Sequence, residues 1–188
     1  MKVIHRGNGK VLSVRKRGKI LHPQEVIKKL DLSFGDLPSD SPFIRPKGFD
    51  SQQLPWPIPS ESVEEAQSLY LFNRVPGDKR IAWMAELWRV LIPNGKCTFM
   101  VPYWASPRSI QDPESAWPPL SENSFLYFNK GFRDANKLHN IGFSFEFTYG
   151  YTLDAETAGK SDEVRAFWIK HHLNAVADLQ LVLTKSPK

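Results

Sequence analysis

Residues 79 to 101 read K-R-I-A-W-M-A-E-L-W-R-V-L-I-P-N-G-K-C-T-F-M-V, and this stretch decides the fold. Its first half predicts a helix with one apolar face, because five apolar residues recur at helical spacing: Ile81, Met84, Leu87, Trp88 and Leu91. Pro93-Asn94-Gly95 is typical of a helix end, and the run C-T-F-M-V predicts a buried strand. A helix, a turn and a strand are the second half of a βαβ unit.

The segments before this stretch are less regular. Residues 26 to 32 form a candidate strand, and residues 36 to 61 are rich in proline and nearly without periodicity, which predicts a long irregular connection. Residues 63 to 72 are compatible with either a strand or a helix, because helix formers are followed by an apolar, strand-like half.

The segments after it continue the alternation. Helices are expected over 121 to 128, 132 to 140 and 161 to 172, and strands over 143 to 151 and 176 to 184. Helices alternating with strands and followed by two late strands favour an α/β sandwich. We expect three layers around a mostly parallel sheet with an antiparallel edge.

The net charge of +5 is concentrated at the N-terminus, where the first 23 residues carry seven basic side chains and no acidic one. Asn8-Gly9 between two apolar runs predicts a β-hairpin. We therefore divide the chain into a basic hairpin extension, residues 1 to 24, and an α/β domain, residues 25 to 188. Arg15, Lys16 and Arg17 are candidate contacts for nucleic acid or an acidic protein. A solvated hairpin that only aids solubility is the alternative.

Cysteine and hydropathy patterns restrict the compartment and the chemistry. The chain has one cysteine, Cys97, so no disulfide can form within it, and no apolar run reaches the length of a membrane span. We expect a cytoplasmic protein. No cysteine, histidine or carboxylate has the spacing of metal ligands, and no nucleophile elbow is present.

The order of four motifs resembles the class I, Rossmann-like S-adenosylmethionine-dependent methyltransferases. These motifs are L-D-L-x-x-G, D-S-Q-Q-L-P-W-P-I-P-S-E-S-V, A-E-L-W-R-V-L-I-P-N-G-K and V-P-Y-W, and the resemblance runs from about Val26 to Thr184. Residues 102 to 128 resemble a bacterial and phage branch of these enzymes. Members of that branch commonly carry D-P-T-H where this chain has D-P-E-S at residues 112 to 115.

The resemblance implies a site for S-adenosylmethionine, with these residues as its candidates: Asp31, Ser33, Gly35, Asp50 and Leu54. In the family, glycines of the first loop let the backbone pass close to the cofactor. Here the large Phe34 stands in that loop, where its ring either fills the turn or points into the core, so the motif is degraded. Only fourteen residues separate Gly35 from Asp50, which leaves no room for a full second strand. Its acidic ribose contact is therefore missing unless Asp36 or Asp40 replaces it.

The same resemblance implies an acceptor pocket after the fifth strand of the family's sheet, with these candidates: Pro102, Tyr103, Trp104, Arg108 and Asp112. Asn73 and Arg74 stand where relatives often carry Glu-His. Two hypotheses follow. The chain is either a divergent methyltransferase of unknown acceptor, or a catalytically inactive, methyltransferase-like protein that serves as a binding or structural component.

Overall fold

The computed structural model describes residues 26 to 186, and the backbone of residues 15, 16, 19 and 20. Strand β1 (Arg15–Lys16) pairs antiparallel with β2 (Lys19–Ile20). The turn predicted at Asn8-Gly9 lies outside the described residues. The division of the chain at residue 24 therefore stays a prediction.

A five-stranded mixed sheet forms the centre of the fold. Its strands are β3 (Ile27–Asp31), β4 (Val63–Leu69), β5 (Leu91–Pro102), β6 (Phe145–Leu153) and β7 (Val176–Lys185). Their order is β3-β4-β5-β7-β6, with β3, β4 and β5 parallel and the remaining pairs antiparallel. This topology, with helices around the sheet, confirms the predicted Rossmann-like α/β fold.

The helices lie in the connections that follow β4. They are α1 (Arg80–Val90), α2 (Pro107–Ile110), α3 (Glu122–Leu126), α4 (Lys130–Ala135), α5 (Ala155–Ala158) and α6 (Asp162–His171), with 3-10 turns at Phe72–Arg74 and Gly77–Lys79. The ambiguous segment from residue 63 is a strand followed by a 3-10 turn. The two helices predicted over 121 to 140 are present but shorter than expected.

The turn after α1 differs from its prediction. The helix ends at Val90 and β5 begins at Leu91, so the Pro93-Asn94-Gly95 turn lies inside the strand. Val63 pairs with Leu91 but Glu65 pairs with Lys96, so this turn is a bulge that absorbs the extra residues. Asn94 adopts a φ of 62°, in the left-handed region that asparagine tolerates.

The buried face of α1 is also rotated from its prediction. Trp83, Met84, Leu87 and Val90 are buried, whereas Ile81 is 53% exposed. Neighbouring aromatic rings explain the inward position of Trp83, since its ring centroid lies 5.1 Å from that of Phe72. Helical periodicity identified the helix, but the packing partners decided which face is inside.

The irregular connection of residues 32 to 62 leaves β3 at the edge of the sheet. It contributes one residue to the outer side of β3: Ile44 donates to the carbonyl of Lys29 at 2.9 Å and accepts from the amide of Asp31 at 2.8 Å. A single bridge thus stands where the family pattern places a second strand. This agrees with the predicted shortening of the sheet in that region.

Candidate functional site

The carboxyl ends of β3 and β4 hold the site that the sequence predicted, since ligands of open α/β sheets bind at this edge. Asp31, the last residue of β3, is fully buried. Its Oδ2 accepts from Arg45 Nε at 3.0 Å and also from Arg45 Nη2. Its Oδ1 accepts from Gln67 Nε2 at 2.9 Å and from the Ser33 amide at 3.2 Å. We call these residues, with Gly35, the strand-end site.

The charge of Asp31 is stabilised within the protein. Burial by itself would raise the pKa of Asp31, but hydrogen bonds from Ser33 and Gln67 and the Arg45 guanidinium outweigh burial and hold this pKa below its usual range. Asp31 is therefore a carboxylate at neutral pH, with both oxygens already bonded to protein donors.

Arg45 also hydrogen-bonds to the loop that follows β3. It donates to the carbonyl oxygens of Ser33 at 2.7 Å and Gly35 at 2.6 Å. The hydroxyl of Ser33 accepts from the amide of Leu69 at 3.0 Å. Gly35 has a φ of 80°, a left-handed conformation that favours glycine. A side chain there would meet open space, so steric crowding is not the reason for the glycine. These polar groups of the loop are therefore bonded to Arg45 and Leu69, which lie outside it.

In the strand-end site, groups that the family resemblance assigns to S-adenosylmethionine already have a hydrogen-bond partner within the protein. The carboxylate of Asp31 and the carbonyls of Ser33 and Gly35 are all bonded to Arg45. Displacing this arginine would leave a buried carboxylate without its cation, at a cost of about 3 kcal/mol, on the order of a hundredfold in affinity. Asp36 and Asp40, the suggested replacements for the ribose contact, are both exposed.

Phe34 neither fills the loop nor enters the core. Its ring is 49% exposed and lies under the guanidinium of Arg74, 3.9 Å from the ring centroid. Arg74 in turn is ion-paired with Asp112 at 2.9 Å and with Glu114. These four residues form the Arg74 cluster, which spans the ends of β3, β4 and β5.

Asn73 is buried beside that cluster. Its Nδ2 donates to Ser115 Oγ at 3.1 Å, while its Oδ1 has no hydrogen-bond partner among the described residues. Asn73 and Arg74, which stand where relatives often carry Glu-His, thus supply an amide and a cation. Both side chains contact residues 112 to 115, the segment that differs from D-P-T-H.

Asp50 and Leu54 flank Ser51, whose hydroxyl donates to the carbonyl of Leu32 at 3.4 Å, next to the end of β3. Asp50 is exposed and accepts from the amide of Gln52 at 2.9 Å, as in an ordinary turn. Leu54 is 37% exposed and lines a cavity of about 360 Å³ with Arg74, Val75 and Trp83. We call this the loop cavity.

The predicted acceptor residues lie after β5, and most of them are held by other side chains. Tyr103 is buried, and its ring packs edge-on against Tyr151 at 5.4 Å. Arg108 Nη1 donates to both carboxylate oxygens of Asp178, at 2.8 and 3.0 Å. Pro102 is buried and Trp104 is 45% exposed. Asp112 belongs to the Arg74 cluster.

Three residues at this edge were missed by sequence reasoning: Arg45, Gln67 and Asp178. Arg45 lies in an irregular segment, where no periodicity indicates which side chain points inward. Asp178 is buried and also accepts from the hydroxyl of Tyr70 at 3.2 Å. For Asp178 the sequence offered one indication, which is an acidic residue within an apolar strand.

Among residues 26 to 186 and the four N-terminal residues with a described backbone, no group of three or more histidine, cysteine or acidic side chains could hold a metal ion. Within the same residues, no helix has the length and apolar character needed to cross a membrane.

No protein family profile and no curated protein matches this chain. Solved structures similar to it include an S-adenosylmethionine-dependent methyltransferase from Mesorhizobium loti, with 13% identity over 88% of this chain and 94% of that one, at a TM-score of 0.47. Another is a methyltransferase from Archaeoglobus fulgidus, with 10% identity over 68% of this chain and a TM-score of 0.46. The chain spans 62% of that protein. Similarities this distant do not indicate what the chain binds.

Proposed function

We propose that this chain is a catalytically inactive, methyltransferase-like protein that serves as a binding component. The observation that carries the proposal is Arg45, whose guanidinium is bonded to Asp31 and to the carbonyls of Ser33 and Gly35. These are the groups that the family resemblance assigns to the cofactor. Because an internal cation satisfies them, a small ligand must compete with the protein itself.

The strand order supports the same proposal. With β3 at the sheet edge and Ile44 forming its only outer bridge among the described residues, the element that carries the acidic ribose contact in the family is absent from the described part. A ribose at the end of β3 would find the carboxylate of Asp31 already bonded to Arg45 and Gln67. The scaffold is retained without the contacts that the cofactor needs.

Isothermal titration with S-adenosylhomocysteine tests this proposal. Wild-type protein should give no saturable heat at millimolar ligand, whereas a Kd below about 100 μM would contradict the proposal. Arg45→Ala, which uncovers Asp31, should be titrated in parallel. Arg89→Ala is the matched control, since Arg89 is also an ion-paired arginine but contacts Glu86 and not the strand-end site.

A divergent, active methyltransferase is the second candidate, and one observation favours it. The loop cavity of about 360 Å³ lies between the Asp50 turn and the start of α1, and it includes Leu54, one of the residues that the resemblance assigns to the cofactor. Binding of S-adenosylhomocysteine that is weakened by Leu54→Arg would favour this candidate. Absence of binding in wild type would exclude it.

The proposed binding surface is the basic N-terminal segment. Seven basic side chains without an acidic one favour an acidic partner, through phosphate or carboxylate contacts. Replacing Arg15, Lys16 and Arg17 by glutamine should abolish capture of labelled duplex DNA or polyglutamate in fluorescence anisotropy. Glutamine at exposed Lys28, Lys47 and Lys96 changes the net charge equally and is the matched control. Equal capture by both triple variants would rule out the surface.

A further inference from the structure

A second cavity lies between the start of α1, residues 118 to 120, and helices α3 and α4. Its volume is about 540 Å³, within the range of roughly 300 to 1,000 Å³ found for small-molecule sites. Most of its wall is apolar and includes Phe72, Ile81, Leu120, Phe128, Leu138 and Ile141. We call it the helix-side cavity. It shares no charged residue with the strand-end site or the Arg74 cluster.

Arg80 brings a buried positive charge to this wall, since only 7% of the residue is exposed. Its three nitrogens donate to backbone carbonyls: Nε to Val75 at 3.0 Å, Nη1 to Pro118 at 2.7 Å and Nη2 to Ala116 at 3.1 Å. All three acceptors are uncharged. Two of its five N–H groups therefore have no acceptor among the described residues.

Arg133 brings a second buried charge to the same cavity and is 3% exposed. It donates from Nη1 to the carbonyl of Tyr127 and from Nη2 to that of Phe143, both at 2.7 Å. The adjacent Asp134 is ion-paired with Lys130 instead. Among the described residues, neither Arg80 nor Arg133 has a carboxylate within ion-pair distance.

Burying two cations without an ion-paired carboxylate is costly, because burial removes water. Burial lowers the pKa of Arg133, and the charge of the nearby Asp134 offsets this lowering only in part. Burial lowers the pKa of Arg80 to about 10, so the guanidinium is still charged at neutral pH. Hydrogen bonds to backbone carbonyls hold each guanidinium in place but do not neutralise its charge. An anionic group in this cavity that reached either guanidinium would gain charge-assisted hydrogen bonds in a partly desolvated place.

We infer that the helix-side cavity binds a small amphipathic carboxylate, whose anionic head pairs with Arg80 and Arg133 and whose apolar body lies against the aromatic and aliphatic wall. Both halves of this ligand class follow from the lining of the cavity. The inference is independent of S-adenosylmethionine, because the strand-end site contributes no residue to it.

Isothermal titration of the full chain with decanoate, and with the uncharged 1-decanol, tests the inference. Decanoate should saturate with a Kd on the order of 100 μM, and decanol should bind at least about tenfold more weakly. Equal binding of the two would show that the arginines only anchor backbone carbonyls. Absence of saturation by decanoate would equally overturn the inference.

Variants locate the binding without disturbing the buried arginines. Ile81 is 53% exposed at the edge of the cavity, so Ile81→Glu should leave the fold intact and weaken decanoate binding at least about tenfold by charge repulsion. Ile110→Glu is the matched control, since Ile110 is 70% exposed and does not line the cavity. If both variants bound decanoate as wild type does, the site would lie elsewhere and the inference would fail.

Discussion

At the residue scale, the most informative feature of the protein is the ion pair between Asp31 and Arg45. Asp31 is completely buried, whereas the Arg45 side chain is 29% exposed. Arg45 therefore lies on the solvent side of the carboxylate at this edge of the sheet. A buried carboxylate is tolerated when its oxygens are hydrogen-bonded and its charge is balanced. Gln67, Ser33 and Arg45 meet both conditions. The pair therefore matters for stability whether or not a ligand binds nearby.

We expect Arg45→Ala to lower the free energy of unfolding by about 3 kcal/mol, because it leaves the Asp31 carboxylate buried without a cation. Urea unfolding followed by circular dichroism measures this loss. Adding Asp31→Asn should recover part of it, since a neutral amide needs no counter-ion. Lys130→Ala breaks a solvent-exposed pair with Asp134 and should change stability little. A similar small effect of Arg45→Ala would contradict the role assigned to the pair.

Asp31 also predicts how stability depends on pH. Its pKa is lower in the folded protein than the value of about 3.9 expected for the unfolded chain. The stabilisation is therefore fully present above about pH 4 and is lost as the pH falls through the folded-state pKa. Urea unfolding at several pH values below 5 should show a steeper loss for wild type than for Asp31→Asn. Parallel curves would contradict the prediction.

At the scale of elements, the bulge in β5 joins the helix to the centre of the sheet. It allows α1 to end at Val90 and the strand to begin at once, while Cys97, Phe99 and Val101 keep their side chains in the core. Gly95 sits where the bulge passes closest to β4. A Cβ atom there would lie 2.9 Å from the carbonyl oxygen of Ile92 and 3.2 Å from that of Glu64.

Gly95→Ala should therefore destabilise the protein by about 1 to 3 kcal/mol, the usual range when an added methyl group meets rigid neighbours. Chemical denaturation of the two glycine variants measures the difference. Gly150→Ala in β6 is the control, because nothing lies within 4 Å of its added methyl group, and it should be neutral or slightly stabilising. Equal effects of the two substitutions would mean that the bulge tolerates a side chain.

At the scale of the whole molecule, a cluster of aromatic rings joins the sheet to the helices. Phe99 of β5 lies 5.5 Å from Phe72, 6.0 Å from Trp83 and 5.7 Å from Phe125, measured between ring centroids. These partners belong to the 3-10 turn after β4, to α1 and to α3. One side chain therefore contacts three other elements.

Phe99→Ala should cost about 3 to 5 kcal/mol, because it opens a cavity at this junction. We expect thermal unfolding to remain a single transition at a lower temperature, since the contacts of Phe99 are distributed over several elements. Phe167→Ala in α6, where the ring is 56% exposed, should leave the melting temperature nearly unchanged. Separate transitions for the variant would show that the cluster does not hold the elements together.

The sequence by itself determined the kind of fold. Apolar periodicity identified α1, and the run C-T-F-M-V predicted the second half of β5, since both patterns follow from the local geometry of helices and strands. The shortening between Gly35 and Asp50 was also readable, because too few residues remain for another strand and helix. The late strands β6 and β7 were predicted with boundaries within two residues of those observed.

Only the tertiary structure decided what the strand-end residues do. The family resemblance implies that Asp31 contacts a cofactor, and the structure adds that Arg45, fourteen positions away in a segment without periodicity, binds its carboxylate. Phe34 had been expected in the loop or the core, yet it stacks on Arg74. Such pairings depend on how an irregular connection folds back over the sheet, and no local pattern specifies that path. Periodicity reports which element a residue belongs to, whereas charge pairing depends on distances across the fold.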